Sequence, residues 1–96
     1  MTFQIIQTPS VTAVMAELAK KDERKLRKVR KTLGLLSRDP RSPGLRSHKR
    51  EAENGPDGED IWESYVENNA PSAWRVFWFY GPTSGTITVT AITPHP

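Results

Sequence analysis

The chain has 96 residues, 35% apolar, 26% charged and 8% aromatic, a balance that suits one folded domain over 1–96 and excludes a disordered chain. With no cysteine, a disulfide framework, a thiolate metal site and a cysteine nucleophile are excluded, and a reducing compartment is the expectation. The net charge of +3 hides an asymmetry: residues 1–50 carry thirteen of the fourteen Lys and Arg against four acids, a balance of +9, whereas 51–96 carry Arg75 alone against seven acids, a balance of −6.

Such a split suits a polyanion or an acidic partner on the basic half, with a merely solvated helix face as the plainer reading. No apolar run approaches the roughly 18 residues a membrane span needs, and the N-terminus lacks a signal pattern. A cytoplasmic protein without membrane attachment is expected.

Thr2–Gln7, short and apolar with a β-branched Ile pair, predicts a first strand, and Thr8-Pro9-Ser10 predicts a helix start with Thr8 or Ser10 as N-cap. Val11, Val14, Met15 and Leu18 follow i, i+3, i+4, i+7 on one helix face. Leu26, Val29, Leu33 and Leu36 give a second amphipathic helix, with the turn in Lys20-Lys21-Asp22-Glu23 and Asp22 as its cap. Arg24, Lys25, Arg27, Lys28, Arg30 and Lys31 cover its polar side.

Asp39-Pro40 ends that helix, because the residue before proline avoids helical dihedrals, and Arg41-Ser42-Pro43-Gly44 continues as loop. A basic segment, Leu45–Arg50, precedes the turn residues Asn54-Gly55-Pro56-Asp57-Gly58. Ile61–Glu67, Trp74–Tyr80 and Thr86–Thr93 predict strands. In the second, Trp74, Val76, Trp78 and Tyr80 share one face, and Arg75, Phe77 and Phe79 the other. The fold class is therefore α+β: an N-terminal strand, a helical hairpin, then an antiparallel sheet of three or four strands, with the hairpin on one face.

Little in this composition suits metal chemistry. His48 and His95 are the only histidines and no ligand pair at helical spacing occurs, so no metal and no cofactor is expected. No glycine loop opens a helix to hold phosphate, and no serine sits in a G-x-S-x-G turn. What remains is a set of cations and two imidazoles, the kit for cutting RNA without metal. That reaction needs a base for the ribose 2′-hydroxyl, an acid for the leaving 5′-oxygen and fixed positive charge at the phosphorane.

The element order, the segment Asp39-Pro40-Arg41-Ser42-Pro43-Gly44-Leu45-Arg46-Ser47-His48-Lys49, the paired segments Ile61-Trp62-Glu63-Ser64-Tyr65-Val66 and Trp74-Arg75-Val76, and the ending Ile92-Thr93-Pro94-His95 resemble the RelE/ParE superfamily of bacterial toxins. The resemblance covers nearly the whole chain through loose motifs. It implies a toxin of a type II toxin–antitoxin system: an endoribonuclease that cleaves ribosome-bound mRNA without metal and is held by a cognate antitoxin with an acidic segment. A ParE-like gyrase inhibitor, or an inactive binding relative, is the alternative.

Position by position, the resemblance implies that Arg75 stabilises charge on the scissile phosphate and that His95 is the general acid. Arg46, Lys49 and Arg50 grip the RNA backbone. His48 is the substitute for proton transfer and Glu63 a candidate base. Plainer roles stand beside these. Arg75 can pair with Glu63 or Glu67 across the sheet, His48 can be a solvated imidazole, and Trp62, Trp74 and Trp78 can be core, or one of them a stacking platform for a base. Two departures bear on activity. Ser64 and Tyr65 stand where many nucleases of the family carry a strand arginine, and the chain stops one residue after His95.

Overall fold

Pro9 and Asp22 set where the two helices begin. The computed structural model describes residues 2–68 and 72–94. A strand, β1 (Gln4–Gln7), leads into a helix, α1 (Pro9–Lys21), whose first helical position is Pro9, with Thr8 extended before it as the N-cap residue. Ser10 therefore lies inside the helix and is not its cap. Thr8 does not cap with its side chain; the Thr8 and Ser10 hydroxyls each donate to the Thr90 carbonyl at 3.4 Å.

One residue later the second helix, α2 (Glu23–Arg38), starts at Asp22, whose Oδ1 accepts from the Lys25 N–H at 3.0 Å. The predicted four-residue turn contracts to Asp22 alone, because its capping carboxylate satisfies an N–H that the helix cannot. The loop that follows contains a 3-10 turn, Pro43–Leu45, closed by Arg46 in the left-handed region at φ 50°.

Four strands complete the chain: β2 (His48–Asn54), β3 (Asp60–Tyr65), β4 (Trp74–Tyr80) and β5 (Thr86–Pro94). The sheet order is β1-β5-β4-β3-β2, so Trp74–Tyr80 is the middle strand of five. β2 to β5 pair antiparallel, whereas β1 lies parallel to β5, with Gln4 opposite Thr86 and Gln7 opposite Val89. The expected antiparallel run of three or four strands is the set β2 to β5, and β1, whose pairing the sequence left open, adds a fifth strand at the edge of β5. The helical hairpin carries the chain across the sheet, and such a crossover is what a parallel pair requires.

β3 stops at Tyr65, short of the predicted Glu67, because the Val66 and Glu67 N–H groups both turn to the Trp74 carbonyl, at 3.0 and 3.3 Å. An extra residue in β5, Thr90, lies between the pairs Phe77–Ala91 and Trp78–Val89. Its carbonyl is the one that receives Thr8 and Ser10, so the bulge is also where α1 docks.

The core lies between the helices and one sheet face. Val11, Leu18, Leu26, Val29, Leu33 and Leu36 pack with Val76, Trp78, Ile87, Val89 and Ile92. On the helix side, Trp78 Nε1–H donates to Ser64 Oγ at 2.8 Å, and the Ser64 and Ser47 hydroxyls meet at 2.7 Å. Ser47 in turn donates to the Pro40 carbonyl at 2.9 Å. This chain of hydroxyls satisfies a buried indole and pins the 40–47 loop to the sheet. No helix among the described residues is long and apolar enough to cross a membrane.

Candidate active site

Alternation along the strands sends His48, Glu63, Tyr65, Arg75 and Phe77 to the sheet face opposite the helices, since His48 and Phe77 both lie opposite Glu63 and Arg75 lies opposite Tyr65. Glu63 is the centre of the group. It is 2% exposed, and three cationic or protonatable groups converge on its carboxylate: Arg50 Nη1 at 2.9 Å and His48 Nε2 at 3.4 Å on Oε1, and Arg75 Nε at 3.2 Å on Oε2. A buried carboxylate holds its charge only with such compensation.

Arg75 is 9% exposed and held on every side. Its Nη1 donates to the carbonyls of Ala73, Glu67 and Trp74 at 3.0, 3.2 and 3.3 Å, and its guanidinium lies 3.7 Å from the centroid of the Tyr65 ring. The Nε proton is within ion-pair distance of Glu63 but not aimed at it, which leaves Nε without a hydrogen bond. The plainer role for Arg75, pairing with Glu63 across the sheet, is thus realised, and Glu67 adds its backbone carbonyl. Nη2 makes no hydrogen bond among the described residues.

Arg50 is shared between Glu63 and Glu53, giving Nη2 and Nε to Glu53 Oε1 at 3.0 and 3.3 Å, and it lies 5.4 Å from the Phe77 ring centroid. The hydrogen bonds to Glu53, then to Glu63, raise its pKa further above the usual guanidinium value. Arg46 lies over Tyr65 at 5.8 Å, and its carbonyl faces His48 Nδ1 at 3.2 Å. Both ring nitrogens of His48 therefore face acceptors. The His48 side chain is 49% exposed, so it is accessible to a substrate.

The expected phosphate grip divides. Arg46 and Arg50 flank the Glu63 cluster, but Lys49 does not. It lies opposite Trp62, on the helix side of the sheet, with Asp60 at 3.9 Å, because a strand turns every second side chain away. Lys49 is therefore corrected out of the group that shares a side with Arg75. His95 lies outside the described residues; β5 leads toward it with Thr93 opposite Arg75 and Pro94 opposite Trp74. Trp74 and Trp78 are core-side residues, and Trp62 stacks on Trp78.

Ser64 is fully buried on the helix face, where it accepts the Trp78 indole N–H. The cation that reaches Glu63 from β2 is Arg50. The sequence grouped Arg50 with Arg46 and Lys49 as a grip on the RNA backbone, and the signal that singles it out is its shared parity with His48 on one strand. Among the described residues no group of His, Asp and Glu is arranged to hold a metal ion.

No protein-family model matches the sequence, and no curated protein does either. Solved structures do. A YoeB/ParE toxin from Agrobacterium tumefaciens superposes with a TM-score of 0.74 at 13% identity, covering 98% of this chain and 100% of that one. The RelE chain family is represented by an archaeal RelE-RelB complex from Pyrococcus horikoshii, with a TM-score of 0.70 at 15% identity over 98% of this chain and 96% of that one. A heterotetrameric YoeB-YefM toxin-antitoxin complex from Staphylococcus aureus gives 0.71 at 11% identity over 100% of both chains. The chain has the RelE/ParE toxin fold.

Proposed function

We propose that this chain is the toxin of a toxin–antitoxin pair and cleaves ribosome-bound mRNA without metal. The observation that carries the reading is the convergence of Arg50, Arg75 and His48 on the buried carboxylate of Glu63, with Arg46 and Tyr65 alongside. Two of the structural neighbours are complexes of a toxin with its partner, which supports a cognate antitoxin here as well. The basic half of the chain suits an acidic segment of that partner.

In the proposed reaction the ribose 2′-hydroxyl attacks the adjacent phosphorus. The O2′–P bond forms, the P–O5′ bond breaks, the 2′-proton leaves to a base and the 5′-oxygen receives one. His48 gives that proton, and His95, which follows the strand ending beside Arg75, serves the other transfer. Arg75, Arg50 and Arg46 meet the negative charge that builds on the phosphorane. Glu63 is a positioning residue: its oxygens are occupied by cations, and it fixes where they stand before substrate arrives.

The test is translating ribosomes carrying a defined mRNA. Cleavage products ending in 2′,3′-cyclic phosphate or 3′-phosphate are expected, and activity that survives EDTA once the ribosomes are kept intact. His48→Ala, Arg75→Ala and His95→Ala should each lower the rate by about 10²–10³-fold or more. Intact mRNA together with blocked DNA gyrase would overturn the nuclease reading in favour of the ParE-like one.

A further inference from the structure

On the other side of the sheet from Glu63, under the 40–47 loop, lies a cleft of about 320 Å³ that the cleavage chemistry does not use. Its aromatic wall is Trp62, Trp78 and Tyr80. The two indoles are stacked with centroids 5.9 Å apart and 18° between planes, and Tyr80 stands nearly perpendicular to both, at 6.4 and 5.0 Å. At its mouth are Arg41, Arg46 and the half-buried Ser42.

Three features distinguish this cleft from ordinary surface. Tyr80, at 39% exposure, is the one exposed large hydrophobic side chain among the described residues. Arg41 and Arg46 are exposed, have no acid within ion-pair distance among the described residues, and stand against the aromatic wall in the same cleft. Among the described residues no carboxylate lines the cleft. A flat π surface beside unpaired guanidinium groups suits a planar heterocycle attached to a phosphate.

We propose that this cleft binds one nucleotide of a single-stranded RNA, base against the Trp62–Tyr80 corner and phosphate at Arg41. Arg46 belongs to both regions, lining the cleft and standing over Tyr65 of the catalytic cluster, so it marks the route by which one strand passes from the cleft to the Glu63 face. The proposal rests on the RNA reading above and adds a recognition site remote from the cut. A stacking slot of this kind is tolerant of base identity and selects unpaired RNA over duplex.

The experiment uses a short single-stranded RNA with 2′-O-methyl riboses, which cannot supply the attacking hydroxyl, so binding is read apart from cleavage. At one fixed salt concentration, the wild-type chain should bind it with quenching of tryptophan fluorescence, and should bind the same sequence as a duplex far more weakly. Trp62→Leu should lose the quench and roughly tenfold in affinity, the scale of one lost base stack. Arg41→Ala, a change at an exposed side chain that cannot threaten the fold, should weaken binding several-fold more than Arg24→Ala on the α2 surface.

Wild-type affinity in both cleft variants, with circular dichroism unchanged, overturns the proposal. So does a result in which those variants weaken only the binding of an acidic protein partner, since the cleft would then be a protein interface. The two readings separate cleanly. Cleavage that persists while the cleft variants bind normally removes the cleft alone. Cleft-dependent binding by a chain that leaves mRNA intact removes the nuclease alone.

Discussion

A single buried carboxylate organises this site, and its substitution shows what kind of role it has. Glu63→Gln keeps the shape of the side chain but cancels the charge that draws Arg50, His48 and Arg75 together. Cleavage should fall, because the three groups lose the charge that fixes where they stand. Glu63→Ala should destabilise the fold by roughly 3–5 kcal/mol in urea titration, the cost of stranding a buried cation. Arg75→Lys should not rescue Arg75→Ala: an ammonium cannot reach three carbonyls and also lie flat on Tyr65. A variant with Lys at 75 and full activity would mean that only the charge matters there. Ser64→Ala tests the other face of the same strand. It leaves the Trp78 indole N–H without its acceptor and unlinks the 40–47 loop, at a cost of about 1–3 kcal/mol.

Between elements, the latch is Glu67. Its carboxylate takes Lys25 at 2.7 Å and Lys28 at 3.0 Å, one turn apart on α2, and also accepts the Trp74 N–H at 3.2 Å. It therefore ties the helix to the connection between β3 and β4. The hydrogen bond from Lys25, ahead of those from Lys28 and Trp74, holds its pKa at about 2 against an ordinary 4.5. A folded-state pKa below the unfolded one means that the stabilisation is complete above pH 4.5 and is lost as pH falls toward 2. Glu67→Gln should thus cost on the order of 2 kcal/mol at neutral pH. The gap between wild type and variant should close on acidification toward pH 2, read by urea unfolding across the range. A gap that does not change with pH would show that the latch is not ionic.

The elements themselves were legible because their periodicities are undiluted. Four apolar residues at spacings of 3, 4 and 3 gave α2, and Trp74–Tyr80 is a run of aromatic and β-branched residues broken only by Arg75. What the pattern could not supply was pairing. β2 reads HKREAEN, polar except for Ala52, with no apolar alternation to show which face His48 and Lys49 take. Its orientation comes only from the register with β3, which places His48 by Glu63 and Lys49 on the far side. Likewise the parity of Ser64 against Tyr65 could be counted, but that Ser64 meets Trp78 depended on the cross-strand register. Strand register is a long-range property, so the site was legible as a set of candidate residues and not as a constellation.

At the scale of the whole molecule the charge asymmetry acquires a shape. Of the seven acids after residue 50, Glu63 and Glu67 are consumed by internal pairs, and the other five, Glu51, Glu53, Asp57, Glu59 and Asp60, lie on the β2–β3 hairpin, where Glu53 pairs with Arg50 and Asp60 with Lys49 of the same hairpin. On α2, by contrast, Arg24, Arg27, Arg30 and Lys31 are exposed and unpaired among the described residues. One helix is thus a row of free cations and one hairpin a knot of acids. A polyanion should approach along the helix and be turned away from the hairpin. The affinity for RNA or ribosomes should then fall steeply with salt, since each neutralised phosphate releases a counterion. Arg27→Ala with Lys31→Ala should flatten the plot of log affinity against log salt by about one unit for each cation that touches phosphate. Neutralising Glu51 and Asp57, exposed and paired with no cation among the described residues, should leave that slope unchanged while speeding association at low salt, because removing distant repulsion alters encounter and not contact. A slope that stays the same after both helix substitutions would mean that the cations of α2 are solvated charge, and the basic surface would then reduce to the arginines of the 41–50 segment.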